Sequence, residues 1–335
     1  MCDSYCLRAV VVSLSFLLFS AVSLFASAAN LPDSGAGAAG GKDAVKEPLA
    51  SANRPSAVPE GYVITPFGYF HPSCVQSLAV GERLLRDGRV QHADGSLEQL
   101  VAVCNYPRYS PTGFPVIEGA TTFPPPEISG WLENANVTTG SATTSYGALV
   151  ARWVVPSQPT ANDGQVLYLF PGFEDINSTQ TILQPVLGWY QGQWTIASWN
   201  CCLNGVTSNS PPVNVSPGDQ IYGSVTTTCG AGTLECATWN VLSLDMTTGD
   251  STILADTPNE SQVFNWAFGG VLEPYYIVSC ADYPANGQLS FTNITVFNEN
   301  LKAVSKPTWS TGVGTGTPQC NYAVKDTSNT VTLSF

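Results

Sequence analysis

The sequence predicts an all-β protein: an antiparallel two-sheet β-sandwich of jelly-roll or concanavalin-like type, preceded by a small N-terminal module. Three observations predict it. Only 11% of the 335 residues are charged while glycines number 30, so long amphipathic helices have little material to form from, which argues against α/β and coiled-coil architectures. From Ile128 to about Asn298, short runs rich in β-branched and aromatic residues alternate with Gly, Pro, Asn and Asp turns: ALVARWVVP, QVLYLFP, WTIASWN, DQIYGSVTT, TWNVLSLD, YYIVSC and QLSFTNITVF. Eight cysteines remain after the first 28 residues, an even set that reads as up to four disulfides in an oxidising compartment.

The segments follow in order. Residues 10–25 are apolar, follow Arg8 and lead into Ala26, Ser27 and Ala28, which predicts a signal peptide over 1–28 and a secreted, extracellular chain. That run is short for a membrane span and no later one approaches about 20 residues, so no membrane partner is expected. Residues 29–59 are small and rich in Pro and Gly, the composition of a flexible linker. Residues 60–110 form a small module with its own cysteine pair and with turn signals at Asp87-Gly88 and Asp94-Gly95. A Pro-rich joint over 111–127 leads to the sandwich domain at 128–299. Residues 300–335 read as a C-terminal extension ending in the strand-like TVTLSF.

Proximity pairs Cys74 with Cys104, Cys229 with Cys236 and Cys280 with Cys320, although eight cysteines allow 105 connectivities. Cys201 and Cys202 either bridge each other or take separate partners. Zinc fits poorly, because the cysteines do not repeat as CxxC pairs and His71 and His92 lie far from most of them in the sequence.

Charge distribution says more than its total. The net charge of −13 argues against nucleic acid as a partner. Between residues 153 and 301 there is no Lys, Arg or His but there are twelve Asp and Glu, a composition that repels itself at neutral pH and suits an acidic medium. Residues 29–152 carry 8 Lys and Arg. This segregation predicts that the 60–110 module is a prosegment whose cations hold the acidic domain shut until carboxylates and histidines are protonated; the alternative is an accessory domain that stays attached. Sequons at Asn136, Asn177, Asn214, Asn259 and Asn293 point to surface turns.

Without His, Lys or Arg in the main domain, a nucleophilic Ser or Cys has no local base of the usual kind, and carboxylates must move any protons. Two chemistries fit: acid proteolysis through an activated water, and glycoside hydrolysis through a carboxylate pair. Two polar side chains stand in otherwise apolar strand contexts, Gln184 in TILQ and Glu273 in GVLE. Each costs about 1 to 3 kcal/mol unless it finds a partner.

TILQ preceded by an aromatic-Gly-x-acid strand end, VSPGDQIYGSVTTT, NVLSLDMTTGDSTIL, WAFGGVLE and GQLSFTNITV occur in the order seen in the eqolisins, and the chain resembles these secreted glutamic peptidases over about residues 131–298. The resemblance implies a two-sheet sandwich whose catalytic pair is a Gln and a Glu on neighbouring strands, here Gln184 and Glu273. It implies that Glu273 takes a proton from the attacking water and returns it to the leaving amine, while the Gln184 amide stabilises the oxyanion. It places the family's substrate-side aromatic on Phe170 and its supporting acid on Glu174, and Trp199 on the next strand joins the expected substrate-binding set. WTIASWN lacks the carboxylate that the family carries there.

Peptide or protein substrates, a monomer, and neither cofactor nor metal are the resulting expectations. A non-catalytic carbohydrate- or surface-binding sandwich, with Trp side chains meeting the ligand, is the alternative. A glycosidase comes third and requires a second carboxylate about 5 to 9.5 Å from Glu273, with Glu174 the candidate.

Overall fold

A computed structural model describes residues 54–99, 103–116, 130–141, 143–176, 178–259 and 262–335. The expected signal peptide, residues 29–53 of the linker, most of the Pro-rich joint and the Asn177 sequon lie outside the described residues.

In the module, β1 (Val63–Thr65) and β2 (Gly68–Phe70) form a hairpin, and β3 (Val75–Ser77) follows a short 3-10 turn. Next come β4 (Arg83–Leu84), β5 (Arg89–Gln91) and β6 (Leu97–Gln99), a meander whose turns fall at the two Asp-Gly pairs, with Gly88 and Gly95 at φ 80° and 85°. Glycine reaches that region without a Cβ clash. The strands β7 (Arg108–Tyr109) and β8 (Pro115–Val116) extend the β1–β2 sheet.

The sandwich begins with β9 (Glu133–Thr138), β10 (Tyr146–Val154), β11 (Val166–Asp175), β12 (Ser178–Tyr190) and β13 (Gln193–Leu203). It continues through β14 (Val206–Asn209), β15 (Val213–Val215), β16 (Gln220–Thr227), β17 (Thr238–Asp245) and β18 (Ser251–Pro258). The last strands are β19 (Trp266–Tyr275), β20 (Gln288–Asn298), β21 (Ser310–Val313), β22 (Ala323–Thr327) and β23 (Thr330–Ser334). One sheet runs β18-β17-β16-β10-β20-β23-β22 and the other β21-β9-β19-β11-β12-β13-β14-β3, with β15 added on β13. Leu149, Leu167, Leu169, Phe173, Leu183 and Phe291 fill the space between them.

Residue patterning explains which strands lie where. β17 alternates buried and half-buried residues, as a strand with one face in the core must. Every residue of β11 is buried, and so are all but one of β19. Those strands are covered on both faces, by the second sheet on one side and by the module on the other. Ile64, Phe67, Tyr69 and Phe70 of the module share a second apolar cluster with Tyr168, Phe170, Val186 and Trp199 of the sheet. The module also lends β3 to the sheet edge, parallel to β14, with Val75 opposite Thr207. Capping an edge in this way removes a row of open backbone groups.

Three expectations change. Residues 300–335 are part of the sandwich and not an appendage: β22 and β23 extend one sheet, β21 flanks the other, and Trp309, Val331 and Leu333 are buried. YYIVSC forms no strand beyond its first residue; Tyr276 turns to φ 57° and ends β19, whose body is WAFGGVLEPY. Asn259 is buried rather than on a surface turn, whereas Asn214 and Asn293 are exposed. The disulfides join Cys74 to Cys104, Cys229 to Cys236, Cys280 to Cys320, and Cys201 to its neighbour Cys202.

Candidate active site

The face of the nine-element sheet turned toward the module collects all five candidate side chains. Alternation along β11 sends Leu167, Leu169 and Phe173 into the sandwich core and leaves Tyr168, Phe170 and Glu174 on the module side. On β12, Leu183 and Leu187 point to the core, so Gln184 shares the module side with Ile182 and Val186. Trp199 stands directly opposite Gln184 on β13 and meets Phe67 edge-on at 6.3 Å.

Glu273 reaches this face through a bulge. Ala267 and Leu272 are five residues apart on β19, yet both point into the sandwich core. An odd spacing restores the same face only if one extra residue is inserted, and the register slips between Phe268 and Gly270. The two glycines there have no room for a side chain: a Cβ on Gly269 would come within 2.9 Å of Val331, and one on Gly270 within 2.6 Å of Phe291. A second close approach brings Gly172 against Gln184, where a Cβ would lie 2.6 Å from the Leu183 carbonyl and 3.2 Å from Gln184 Cβ.

Gln184 and Glu273 do not lie on the neighbouring strands expected of them but on the two strands that flank β11, and register fixes their separation. Glu273 pairs with Tyr168 on one side of β11, while Phe173 pairs with Leu183 on the other, which sets Gln184 beside Gly172. The two residues are offset by four positions along β11 and by two strand spacings, about 16 Å between Cα atoms. Glu174 lies six positions along β11 from the Glu273 pairing, about 20 Å from it between Cα atoms. It is instead a diagonal neighbour of Gln184, since Glu174 faces Ile182.

All three polar groups are almost fully buried, Gln184 at 0%, Glu273 at 1% and Glu174 at 2% exposure. Burial pushes the Glu273 carboxyl up to about 8, against the pull of the Tyr275 hydroxyl, the Trp131 indole and Arg108. Burial likewise pushes Glu174 up to about 8, opposed by Arg108 and aided by Asp175. Asp175 accepts from the Val263 amide at 3.2 Å, the work of a turn acid.

A stretch of the module's own backbone lies across the face. The Gln184 amide donates to the Pro66 carbonyl at 3.4 Å, and the Tyr275 hydroxyl donates to the Thr65 carbonyl at 2.9 Å. The same hydroxyl lies 2.5 Å from Glu273 Oε1. Tyr168 donates to the Ile64 carbonyl at 3.4 Å. Sequence reasoning missed Tyr275, Trp131 and this segment. The signal for Tyr275 is period two: a Tyr two residues after Glu273 in a strand shares its face.

The module's cations act more narrowly than their number suggests. Arg83 pairs with Asp256 across the boundary at 2.7 Å, but both are about half exposed. Arg108 packs over Phe70 and donates to the Sγ atoms of Cys201 and Cys202 at 3.3 Å each. His92 bonds Glu82 at 2.6 Å and His71 stacks on Tyr106, both inside the module. Protonating His92 therefore tightens the module against its own Glu82 rather than releasing it. Trp189, Trp194 and Trp239 are buried in the sandwich core, whereas Trp199 and Trp266 are buried on the module side.

Site and fold together define a β-sandwich in which a buried carboxyl and a buried amide share one sheet face under a strand of peptide. Among solved structures, the chain is similar to scytalido-glutamic peptidase bound to a transition-state analogue inhibitor, with TM-score 0.45 and 19% identity over 62% of this chain and 98% of that one. It is also similar to SCP-B, a member of the eqolisin family in complex with a tripeptide, at TM-score 0.42 and 17% identity over 61% and 98%. Aspergilloglutamic peptidase from Aspergillus niger follows at TM-score 0.35 and 17% identity over 51% and 98%. No protein-family model matches the chain. No curated protein matches it in sequence either.

Proposed function

We propose that the protein is a secreted endopeptidase that works in acid, with Glu273 as general base and acid and Gln184 as oxyanion donor, and that the 60–110 module is its removable cover. The observation that carries the reading is the peptide already lying on the site: consecutive carbonyls of Thr65 and Pro66 are held by Tyr275, beside Glu273, and by Gln184. A face that grips a backbone this way is built for peptide, and the order of sequence motifs supports the same chemistry.

In the reaction, ionised Glu273 takes a proton from water as the water oxygen bonds to the peptide carbon. The carbonyl oxygen becomes an oxyanion, held by the Gln184 amide, which keeps its donor at any pH. The carbon–nitrogen bond then breaks, and the proton on Glu273 passes to the leaving nitrogen. Under the module Glu273 holds its proton up to about 8 and cannot act as a base in acid. Removing the cover returns water to the carboxyl, and its pKa falls toward the ordinary range. The covered chain is thus the inactive form.

No disulfide among the described residues crosses between module and sandwich, so a cut in the 111–127 joint frees the module without reduction. The test is digestion of an unfolded protein by the purified chain, before and after acid treatment, scanned from acid to neutral pH. Cleavage in acid that accompanies loss of the module supports the reading. A wild-type chain that loses the module and still cleaves nothing sinks it.

A further inference from the structure

We infer that Tyr275 is a substrate-holding residue of this site, whose hydroxyl grips the peptide carbonyl one residue before the carbonyl held by Gln184 and tightens that grip when Glu273 is protonated. This rests on the peptidase reading. The Tyr275 hydroxyl carries one hydrogen and faces two oxygens, Glu273 Oε1 at 2.5 Å and the Thr65 carbonyl at 2.9 Å. Ring packing leaves it little freedom: Tyr275 is buried and meets Tyr69 and Tyr168 edge-on at 5.6 and 6.1 Å.

One hydrogen between two acceptors makes the contact depend on the state of Glu273. While Glu273 is ionised, the carboxylate is the stronger acceptor and draws the hydrogen. Once Glu273 has taken the proton of the attacking water, its neutral carboxyl is the weaker acceptor, and the phenolic hydrogen turns to the peptide carbonyl. The hold on substrate therefore strengthens as the tetrahedral species forms, and an interaction of that kind raises kcat rather than lowering KM. No proton leaves Tyr275 at any step. Burial and the neighbouring Glu273 hold its pKa far above the ordinary phenol value, so it stays a donor throughout.

The segment in the site fixes the register. Thr65 and Pro66 are adjacent, so Tyr275 and Gln184 hold carbonyls one residue apart, and the bond presented to Gln184 lies between Pro66 and Phe67. In a substrate the same two contacts choose which bond meets Glu273.

The experiment compares wild type, Tyr275→Phe and Tyr276→Phe after acid treatment of the full chain, by steady-state cleavage of a peptide across pH. Tyr276 bonds Tyr69 of the module at 3.0 Å and serves as the control for loss of a hydroxyl contact with the cover. Tyr275→Phe is expected to lower kcat at least tenfold with a smaller change in KM, and to move the acid limb of the profile to higher pH, because Glu273 loses a donor that favours its ionised form. Tyr276→Phe leaves the limb in place. Replacing Tyr275 by difluorotyrosine keeps the ring, strengthens the donor and moves the limb to lower pH, which guards against a misfolded Phe variant. If wild type cleaves but Tyr275→Phe matches it in kcat and in its acid limb, the role of Tyr275 is overturned while the peptidase stands. If wild type cleaves nothing, both fall.

Discussion

Glu273 and Gln184 show what a polar group in an apolar strand is for: each has a backbone or hydroxyl partner, and each faces a segment of peptide. Glu273→Gln is expected to abolish the general base and lower kcat/KM more than a hundredfold, with thermal unfolding close to wild type, because a buried amide replaces a buried neutral acid. Gln184→Ala removes one oxyanion donor, which costs about 100- to 1000-fold in kcat. Near wild-type rates in either variant contradict the assignment. A second residue-scale prediction concerns pH and stability. Glu133, Glu174 and Glu273 keep their protons up to about 8 in the folded chain, mainly through burial, against an ordinary value of 4.5. Between those values the folded chain holds protons on these carboxyls that the unfolded chain has released, so unfolding releases protons and stability falls as pH rises. That stability is fully present below 4.5 and gone above about 8. Urea midpoints measured at pH 4.5, 6 and 8 should decrease in that order, and a rising series would refute the protonation states.

Strands place these residues, and β19 does so through an irregularity. The bulge at Gly269 and Gly270 is what turns Glu273 out of the sandwich core. Deleting Gly269 restores the simple period and sends Glu273 inward, where an unpaired carboxyl costs several kcal/mol; the variant is expected to lose activity and to unfold at markedly lower urea. Gly172→Ala is the milder element-scale change. Its Cβ meets the Leu183 carbonyl at 2.6 Å, so β12 must shift and carry Gln184 with it. Loss of kcat with a destabilisation of about 1 to 3 kcal/mol is expected from chemical unfolding and kinetics together.

Across the whole molecule, what holds the module down is apolar contact more than charge. The half-exposed ion pair of Arg83 and Asp256 contributes about 0 to 1 kcal/mol, so Arg83→Ala should leave activation unchanged. Phe67 is buried against Trp199 in the site. Phe67→Ala removes that contact at a cost of a few kcal/mol and should let the full chain shed its module and begin cleaving at a higher pH than wild type. An unchanged activation pH for Phe67→Ala would mean that the β3 edge pairing, and not this cluster, holds the cover.

Much of this protein is legible in the order of its residues. Runs of β-branched and aromatic residues between Gly, Pro, Asn and Asp turns determine an all-β chain, because side-chain shape and turn geometry act over a few residues and need no tertiary partner. Gln184 and Glu273 stood out for the same local reason, a polar group among apolar neighbours, and proximity along the chain was enough to pair six of the cysteines. Tertiary structure decided the rest. Only packing shows that β11 and β19 are buried on both faces, that residues 300–335 complete the sheets, and that Thr65 and Pro66 rest on Tyr275 and Gln184, since Thr65 and Tyr275 are separated by 210 residues. Contacts at such range depend on how two sheets and a module close over one another, and no local pattern in the sequence carries that information.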